Sequence, residues 1–368
     1  MNNHWRIPLV HLQREYAWLG DRLRTAIIRV LESGNFIQGC QLDQFEKEFS
    51  EYIGVNYCIG VNSGSDAIYI SLRVIGVGPG DEVITVANSF IASADAIVRC
   101  GARPIFVDIE KDCYCIDSQK IEEHITPRTK AILPVHIHGK AADMEEINEV
   151  AEKYSLWVVE DACQSHGSDV NGRKTGSIGN LGCFSFYPTK NIGCYGDGGA
   201  ITTNSPELSE RCRMFRDYGR VGRYSHAVTG INSRLDEIQA AVLRVKLEYL
   251  DKWNERRRTI SMRYREGFER TDLVLPIQES QRGHVFHNFV IRHKKRDVIK
   301  EKLSGEGIES AIHYPVPIHM QPSYQPYRNI RLRVSESVCN EILSLPMNPW
   351  LTDSEIDTVI DQVKLCLL

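Results

Sequence analysis

A single lysine, Lys190, follows the apolar run Cys183-Phe184-Ser185-Phe186-Tyr187 and precedes a loop rich in glycine. Pro188 ends the run, because proline cannot donate a hydrogen bond to a neighbouring strand. The pattern predicts a strand that ends in a sharp turn carrying Lys190. A lysine in such a place is partly removed from water, and burial lowers the pKa of an ammonium group. The neutral amine can then form a Schiff base with an aldehyde, whereas an ordinary loop lysine stays a solvated cation.

A second candidate site is the turn Asn62-Ser63-Gly64-Ser65-Asp66, which separates a short predicted strand from a predicted helix. The first amides of a helix have no partner within it, and the positive end of the helix dipole attracts anions. With the hydroxyls of Ser63 and Ser65 beside them, these amides could bind a phosphate group. The alternative is a simple capping turn, in which the Ser and Asp side chains satisfy the amides.

Strands and helices alternate along the first half of the chain. Apolar stretches typical of strands occur at residues 57–61, 82–87, 104–108, 131–135, 156–160 and 200–203. Amphipathic helical patterns separate most of them, so the sequence predicts a mainly parallel sheet with its ligand site at the carboxyl edge. Phe90, His136, Asp161 and Lys190 all fall at predicted strand ends. We therefore expect these four side chains to converge on one pocket.

The second half of the chain predicts a smaller unit. A long helical pattern runs from Leu235 to about Arg270, and strand-like stretches follow at 286–291 and 311–314. We predict a large α/β domain over residues 1–250, which includes an N-terminal helical segment. Residues 251–368 would form a bridging helix and a small C-terminal α+β domain.

Composition narrows the class of protein. The 368 residues carry a formal net charge of -4, which gives no sign of a nucleic-acid partner. The sequence shows no apolar stretch near the roughly 20 residues needed to cross a bilayer, so we expect no membrane contact and a cytoplasmic location. Eleven cysteines occur without a CxxC pair, and Cys113-x-Cys115 alone is too short to specify a zinc site. Reduced thiols and no metal are therefore expected.

Five segments occur in a fixed order: NSGSDA (62–67), NSFIASADAI (88–97), EDACQSHG (160–167), SFYPTKNIGCYGDGGA (185–200) and GINSRLDEIQAAVL (230–243). This set resembles the successive motifs of the DegT-like nucleotide-sugar aminotransferases, which depend on pyridoxal phosphate. The late segment HYPVPIHMQP (313–322) also fits, so the resemblance covers nearly the whole chain. It implies a fold-type-I α/β enzyme with a large, mainly parallel-sheet domain and a smaller C-terminal α+β domain.

The resemblance implies a role for each matching residue. Lys190 would hold the pyridoxal phosphate covalently and then carry protons, and pyridoxamine phosphate would be the intermediate form. Asp161 would pair with the pyridine nitrogen, Gln164 on the same helix face would bind the phenolic oxygen, and Phe90 would lie against the ring. The implied phosphate contacts are Ser65, the amide of Asp66, Ser185, and Asn232 reaching the neighbouring subunit's cofactor. The last contact implies a homodimer that shares its active sites.

The motifs also bear on the substrate. FYPTK followed by GDGG is similar to family members that aminate carbon 3 of a keto sugar, whereas 4-amino enzymes often carry His at the position of Tyr187. This favours a dTDP-linked 3-keto-6-deoxyhexose with L-glutamate as amino donor; a UDP-linked 3-keto uronic acid and a 4-keto sugar are the alternatives. The candidate substrate contacts are Tyr187, Arg220, Arg223, His313, Tyr314 and His319. The two arginines could equally lie on a solvated face, and the proline-rich loop could hold the last three for packing.

Two other classes of protein could share this fold: a sugar dehydratase and a non-catalytic regulatory protein. Family dehydratases carry His in place of the Schiff-base lysine, so Lys190 argues against a sugar dehydratase. A non-catalytic regulatory protein would not need Lys190, Asp161, Gln164 and Ser185 together. Within the resemblance, His138 stands where an aromatic Tyr often follows the histidine. We expect this change to have the largest effect on substrate contacts.

Overall fold

The protein is described from a computed structural model over residues 5–277 and 283–367. The α-helices of this part are α1 (Leu12–Ser33), α2 (Cys40–Ile53), α3 (Gly64–Val74), α4 (Ala92–Arg99), α5 (Met144–Lys153), α6 (Pro206–Phe215), α7 (Glu237–Leu247), α8 (Leu250–Phe268), α9 (Arg296–Gly305), α10 (Arg333–Glu341) and α11 (Asp353–Leu367). The strands are β1 (Tyr57–Val61), β2 (Glu82–Val86), β3 (Arg103–Val107), β4 (Thr129–Ile132), β5 (Trp157–Asp161), β6 (Asp169–Val170), β7 (Arg173–Lys174), β8 (Leu181–Ser185), β9 (Gly199–Thr203), β10 (Phe289–Arg292) and β11 (Ile342–Leu345).

A seven-stranded sheet in the order β1-β9-β8-β5-β4-β2-β3 organises the larger part of the chain. Strand β9 pairs antiparallel with both of its neighbours, and the other pairs are parallel. The sheet is therefore mainly parallel, as the sequence predicted. Asp161 lies opposite Cys183 in the pairing of β5 with β8. Because parallel strands end at one edge of a sheet, Asp161 and Ser185 come out on the same edge.

Helices cover the sheet and bury its strands, which explains why the strands read as nearly continuous apolar runs. One core joins the sheet to α3 and α4, with Ile59, Ile70 and Ile97 fully buried. The rings of Phe45 and Phe49 on α2 pack in another core with those of Phe184 and Phe186. The apolar side chains of these helices therefore face the sheet, as their amphipathic patterns predict.

A separate core lies in the C-terminal part. It gathers Tyr264 from α8, Phe289 from β10, Leu345 from β11 and Val359 from α11, and it also includes Ile7 from the N-terminal segment. The predicted domain boundary at residue 250 stays a prediction. Residues 1–4, 278–282 and 368, which belong to the two predicted domains, lie outside the described residues. No helix in the described ranges combines the length and apolar character needed to span a membrane.

Two predicted elements differ in the structure. The single long helix from Leu235 is wrong, because the chain forms α7 and α8 with a break at Tyr249. There the amide bonds back to the carbonyl of Lys246, three residues earlier, and the tyrosine ring packs edge-on against Trp18 of α1. The predicted strand at 311–314 is also wrong, since Ala311 makes an isolated bridge to Ser344 of β11.

Candidate active site

Lys190 lies on the turn after β8, where the sequence predicts it. Its amide donates a hydrogen bond to the carbonyl oxygen of Tyr187 at 2.9 Å, which closes the turn. The side chain is half-buried. Burial lowers the pKa of Lys190 below its ordinary value, while Cys163 and the Asp161 carboxylate oppose this shift. The amine can therefore lose its proton more readily than a surface lysine.

Asp161 ends strand β5 and is almost fully buried, with 5% of its surface exposed. Ser93 Oγ, from α4, donates a hydrogen bond to Oδ2 at 2.7 Å, and the amide of Cys163 donates to Oδ1 at 3.2 Å. An ionised carboxylate supplies the two acceptor oxygens that this arrangement needs. Ser93 was not among the predicted site residues, although it lies inside the segment NSFIASADAI.

Gln164 lies on a turn rather than on the helix that the sequence predicted. The chain leaves β5 directly into tight turns, and the amide of Ser165 bonds back to the carbonyl of Ala162 at 3.1 Å. Gln164 Oε1 accepts a hydrogen bond from the amide of His138 at 2.7 Å, and its Nε2 donates to the hydroxyl of Tyr314 at 3.3 Å. Gln164 therefore ties the end of β5 to two distant segments of the chain.

The predicted phosphate turn leads into α3, which begins at Gly64. Ser63 caps the helix, since its Oγ accepts a hydrogen bond from the amide of Asp66 at 3.1 Å. A Cβ atom on Gly64 would come within 2.6 Å of Ser185 Cβ and 2.7 Å of Cys163 Sγ. The helix start thus touches the end of β8. Only a glycine permits this approach, so the candidate phosphate contacts of the two elements stand side by side.

The arrangement of these groups at the carboxyl edge of the sheet fits pyridoxal phosphate. A helix start beside Ser185 suits the phosphate group, the half-buried amine of Lys190 suits the aldehyde, and the buried carboxylate of Asp161 suits a protonated ring nitrogen. The capping alternative for residues 62–66 is also realised in part, because the Asp66 amide already has an acceptor in Ser63. The predicted phosphate contacts of Ser65, Asp66 and Ser185 stay predictions.

Four histidines border the lysine: His138, His166, His287 and His313. Burial lowers the pKa of each, and the charge of Lys190 adds to the shift. The pKa of His166 falls to about 3 and that of His313 to about 4. These imidazoles are therefore neutral near pH 7, and neither ring nitrogen of His166 has a hydrogen-bond partner among the described residues.

The segment after residue 283 forms a wall of the site that sequence reasoning missed. His287 Nδ1 lies 3.2 Å from Asn191 Oδ1, and Asn288 Nδ2 lies 3.4 Å from Nδ1 of His138. Asn191 also donates to the carbonyl of Val285 at 3.0 Å. The two histidines in HVFHN were the available signal in the sequence, but no periodic pattern links them to residues 138 and 191.

Aromatic rings stand at the mouth of the site. Phe90 is 53% exposed and its ring centroid lies 5.8 Å from that of Tyr314. The exposure excludes a core role for Phe90 and leaves its ring free to lie against a flat ligand. Tyr187 is similarly exposed, and His313 Nδ1 lies 2.9 Å from Ser344 Oγ.

A loop over residues 217–232 lies outside this cluster and carries three of the predicted residues. Arg220 Nε forms an ion pair with Asp217 at 3.5 Å, and the guanidinium of Arg223 lies over the ring of Tyr224 at 5.4 Å. Asn232 follows on the same loop, and all three predicted residues are exposed. Within the described residues, no hydrogen bond or ion pair joins them to Lys190 or Asp161.

Two histidines predicted near ligands are buried elsewhere. His319 is fully buried, with Nε2 at 3.3 Å from Glu336 Oε1, which favours the packing alternative over substrate contact. His136 lies in the core with its Nε2 at 3.0 Å from Glu160 Oε2, and its Nδ1 accepts a hydrogen bond from Ala142. The expected convergence of His136 on the pocket is therefore wrong. Its partner Glu160 also accepts bonds from three backbone amides, which holds the pair inside.

A mainly parallel sheet that presents a lysine of lowered pKa and a buried carboxylate at its carboxyl edge defines a fold-type-I enzyme dependent on pyridoxal phosphate. Comparison with known proteins narrows this class. The chain belongs to the DegT/DnrJ/EryC1/StrS aminotransferase family, whose model matches residues 19–364. The protein is therefore an aminotransferase, and pyridoxal phosphate is its cofactor.

Similar proteins match over nearly their full lengths. The chain is 43% identical to a dTDP-3-amino-3,4,6-trideoxy-alpha-D-glucose transaminase of Streptomyces venezuelae, covering 98% of this chain and 96% of the relative. It is 44% identical to a dTDP-3-amino-3,6-dideoxy-alpha-D-galactopyranose transaminase of Aneurinibacillus thermoaerophilus, covering 97% and 99%. A UDP-N-acetyl-3-dehydro-alpha-D-glucosamine 3-aminotransferase of Acidithiobacillus ferrooxidans is 41% identical, and the match covers both chains completely.

Solved structures of similar proteins share the fold of this chain. The crystal structure of S. venezuelae DesV in complex with a ketimine intermediate superposes with a TM-score of 0.95 at 43% identity, covering 98% of each chain. NtdA from Bacillus subtilis, with bound pyridoxamine phosphate, superposes with a TM-score of 0.89 at 37% identity, covering 94% of this chain and 81% of that one.

Proposed function

We propose that the enzyme transfers an amino group from L-glutamate to carbon 3 of a dTDP-linked 3-keto-6-deoxyhexose. The observation that carries this proposal is the full-length identity of 43–44% to two transaminases named for dTDP-3-amino sugars.

The proposed roles of the residues follow from their contacts. When bound, pyridoxal phosphate supplies the aldehyde that takes up the amino group and a ring that stabilises negative charge on the reacting carbon. Lys190 holds the aldehyde carbon and afterwards accepts and returns a proton at Nζ. Asp161 keeps the pyridine nitrogen protonated, and Ser93 and the Cys163 amide fix the orientation of its carboxylate.

Gln164 and Phe90 orient the ring in this proposal. Gln164 Nε2 donates one hydrogen to Tyr314 and retains a second one for the phenolic oxygen. Phe90 offers an exposed ring face at the mouth of the site. Ser65, the start of α3 and Ser185 take the phosphate group, because helix amides and hydroxyls converge there. Tyr187, His313 and Tyr314 line the space where the sugar would react.

We also propose a homodimer in which Asn232 completes the phosphate site of the other subunit. The loop over residues 217–232 supports this, since it exposes apolar side chains to water in the single chain. These are Tyr218, Val221, Tyr224 and Val228. Contiguous exposed apolar surface is typical of a protein interface. On the same loop, Arg220 and Arg223 are the groups proposed to meet the diphosphate.

A cytoplasmic location belongs to the same proposal. All eleven cysteines are free thiols, which is typical of proteins in a reducing compartment.

The substrate can be tested by incubating purified enzyme, pyridoxal phosphate and L-glutamate with a panel of nucleotide-linked keto sugars. The panel contains dTDP-linked 3-keto and 4-keto 6-deoxyhexoses and a UDP-linked 3-keto uronic acid. We expect the highest kcat/KM with the dTDP-linked 3-keto sugar, with the product identified by mass and NMR. A higher kcat/KM for the uronic acid or the 4-keto sugar would contradict the proposal.

A further inference from the structure

The side-chain amide of Asn191 is held in one orientation. Asn191 is buried, with 3% of its surface exposed. Its Nδ2 donates to the carbonyl oxygen of Val285 at 3.0 Å and to Oδ1 of Asn254 at 2.9 Å. Asn254 cannot reverse its own amide, because its Nδ2 donates to the carbonyl oxygen of His166 at 2.8 Å. Both partners of Asn191 Nδ2 are therefore oxygens without a hydrogen, which leaves Oδ1 of Asn191 facing His287.

This fixed amide determines which nitrogen of His287 carries the hydrogen. Nδ1 lies 3.2 Å from Asn191 Oδ1, and an amide oxygen can only accept, so Nδ1 must be the donor. Burial lowers the pKa of His287 well below its ordinary value, and the charge of Lys190 adds to this shift. The ring is therefore neutral near pH 7 and has a free lone pair on Nε2.

The segment that carries His287 lies along the pocket that holds Lys190. Just before His287, the carbonyl oxygen of Val285 is bound by the residue that follows Lys190. Just after it, the amide of Asn288 donates to the carbonyl oxygen of His138 at 3.3 Å. The segment is thus attached on one side to the turn of the lysine and on the other side to a second histidine of the site.

The free nitrogen lies on the open edge of the ring. His287 is partly exposed, whereas Asn191, which contacts the Nδ1 edge, is buried. In the part of the chain that the structure describes, Nε2 has no hydrogen-bond partner, and it is not one of the buried atoms that lack a partner. The charges of Lys190 and His313 both act on the pKa of His287, so the ring lies close to these side chains. A ligand bound at Lys190 can therefore reach Nε2.

We propose that His287 is a substrate-binding residue whose Nε2 accepts a hydrogen bond from a hydroxyl group of the keto sugar. Asn191 is the positioning residue, because it keeps the hydrogen on Nδ1 and leaves Nε2 ready to accept. This inference rests on the proposed function, since it takes a keto sugar as the substrate. A site that accepts from a hydroxyl discriminates against a sugar without it, because the acceptor then loses its partner.

The tautomer of His287 can be measured without the sugar. In holoenzyme labelled with ¹⁵N in its histidines, a ring nitrogen with a hydrogen and one without differ clearly in chemical shift. We expect the hydrogen of His287 on Nδ1, with its signals identified by their absence in His287→Gln. In Asn191→Ala we expect shifts averaged between two tautomers, because the fixed acceptor is lost. A hydrogen on Nε2 in the wild-type enzyme would overturn the proposal.

Two substitutions of His287 separate the roles of its nitrogens. In His287→Asn the amide can still donate to Asn191 but places no acceptor near the position of Nε2, whereas His287→Gln extends its amide oxygen toward that position. We expect kcat/KM for the keto sugar to fall by about tenfold or less in His287→Asn, as for one net hydrogen bond, and by less in His287→Gln. His124→Asn, which changes a histidine bonded to the carbonyl oxygen of Lys120, is the matched control. An unchanged kcat/KM in His287→Asn contradicts the proposal.

The reaction with glutamate alone shows whether the loss is confined to the sugar. The absorbance of the bound cofactor follows this half of the reaction, and we expect His287→Asn to keep the wild-type rate. A loss as large as that seen with the sugar would place the effect on the cofactor site instead, and the proposal would fall.

Sugars that lack one hydroxyl test the contact itself. The analogues are keto sugars without the hydroxyl at carbon 2 or at carbon 4. With one of them we expect wild type to lose about tenfold or less in kcat/KM, and His287→Asn to lose nothing further. Equal losses in both enzymes with every analogue would refute the contact. If the substrate panel favours another keto sugar, the proposed substrate has failed, and the same comparison is made with that sugar and its deoxy analogues.

Discussion

Two walls of the active site are built in different ways. The sheet wall consists of Asp161, Ser185, Lys190 and the start of α3 at Gly64, which strand register and a helix start hold in place. The loop wall consists of residues 284–288 and 311–314, which lie outside the regular strands and helices and depend on contacts such as that of His313 with Ser344. In the proposed function, the sheet wall holds the cofactor and the loop wall faces the keto sugar. Cofactor binding and substrate binding should then vary separately.

Lys190→Ala is the substitution in the sheet wall with the largest expected effect on activity. We expect Lys190→Ala to reduce transamination by roughly ten-thousandfold or more, because both the covalent attachment and the proton carrier are lost. Assays of glutamate-dependent product formation and the absorbance of bound cofactor measure both losses. Lys47→Ala, which changes an exposed lysine on α2, serves as control. Retained turnover in Lys190→Ala would refute the role of this residue.

Asp161→Asn tests the carboxylate of the same wall. We expect turnover to fall roughly a hundredfold or more with cofactor still bound, because the neutral amide cannot keep the ring nitrogen protonated. The asparagine oxygen can still accept from the Cys163 amide, and the Ser93 hydroxyl can turn to accept a hydrogen bond from the new NH2 group. Cofactor occupancy, measured by absorbance, separates this loss from a failure to bind. Unchanged turnover would remove Asp161 from the mechanism.

The same variant should move the pH dependence of aldehyde capture by cofactor-free protein. Capture needs the neutral amine, so it rises as pH rises through the pKa of Lys190, which lies below the ordinary 10.5. The Asp161 carboxylate raises this pKa against the effect of burial. Its removal in Asp161→Asn should therefore shift the midpoint to lower pH. A midpoint that stays fixed or moves upward would mean that the carboxylate does not act on the amine.

Asn232→Ala tests whether the sheet wall needs a second subunit. We expect weaker cofactor binding, by about tenfold for the loss of one contact to a charged phosphate. Mixed dimers of Asn232→Ala and Lys190→Ala should hold one intact site each. The assay uses a cofactor concentration too low to fill Asn232→Ala homodimers. If subunits mix at random, about a quarter of the wild-type activity at that concentration should then return, because half of the dimers are mixed and each has one of two sites. Absence of rescue in confirmed mixed dimers would count against a shared site.

Tyr314→Phe makes the smallest change, in the loop wall. The hydroxyl that accepts from Gln164 is lost, and we expect kcat/KM for the keto sugar to fall about tenfold or less, as for one net hydrogen bond. Cofactor absorbance should stay as in wild type if the two walls act separately. Tyr154→Phe removes a hydroxyl bonded to Glu122 and provides the matched control. A large loss of cofactor binding in Tyr314→Phe would show that the division between the walls is wrong.

The sequence by itself determined the sheet wall. Strand ends followed by Asp161 and Lys190, and a small-residue turn before α3, are local patterns. Parallel pairing then brings strand ends together at one edge whatever the intervening chain does. The alternation of strands and helices predicted the mainly parallel sheet, and the ordered motifs predicted the family and, through the family, the cofactor. The findings confirm all three.

The tertiary structure alone decided the loop wall. Whether His287 lies beside Asn191, Tyr314 beside Gln164, or His319 inside the core depends on contacts across long separations in the chain. Irregular segments carry no period from which such contacts can be derived. The break at Tyr249 has the same origin, since the aromatic partner Trp18 lies on a distant helix. Local chemistry thus fixes which groups react, and long-range packing fixes what surrounds them.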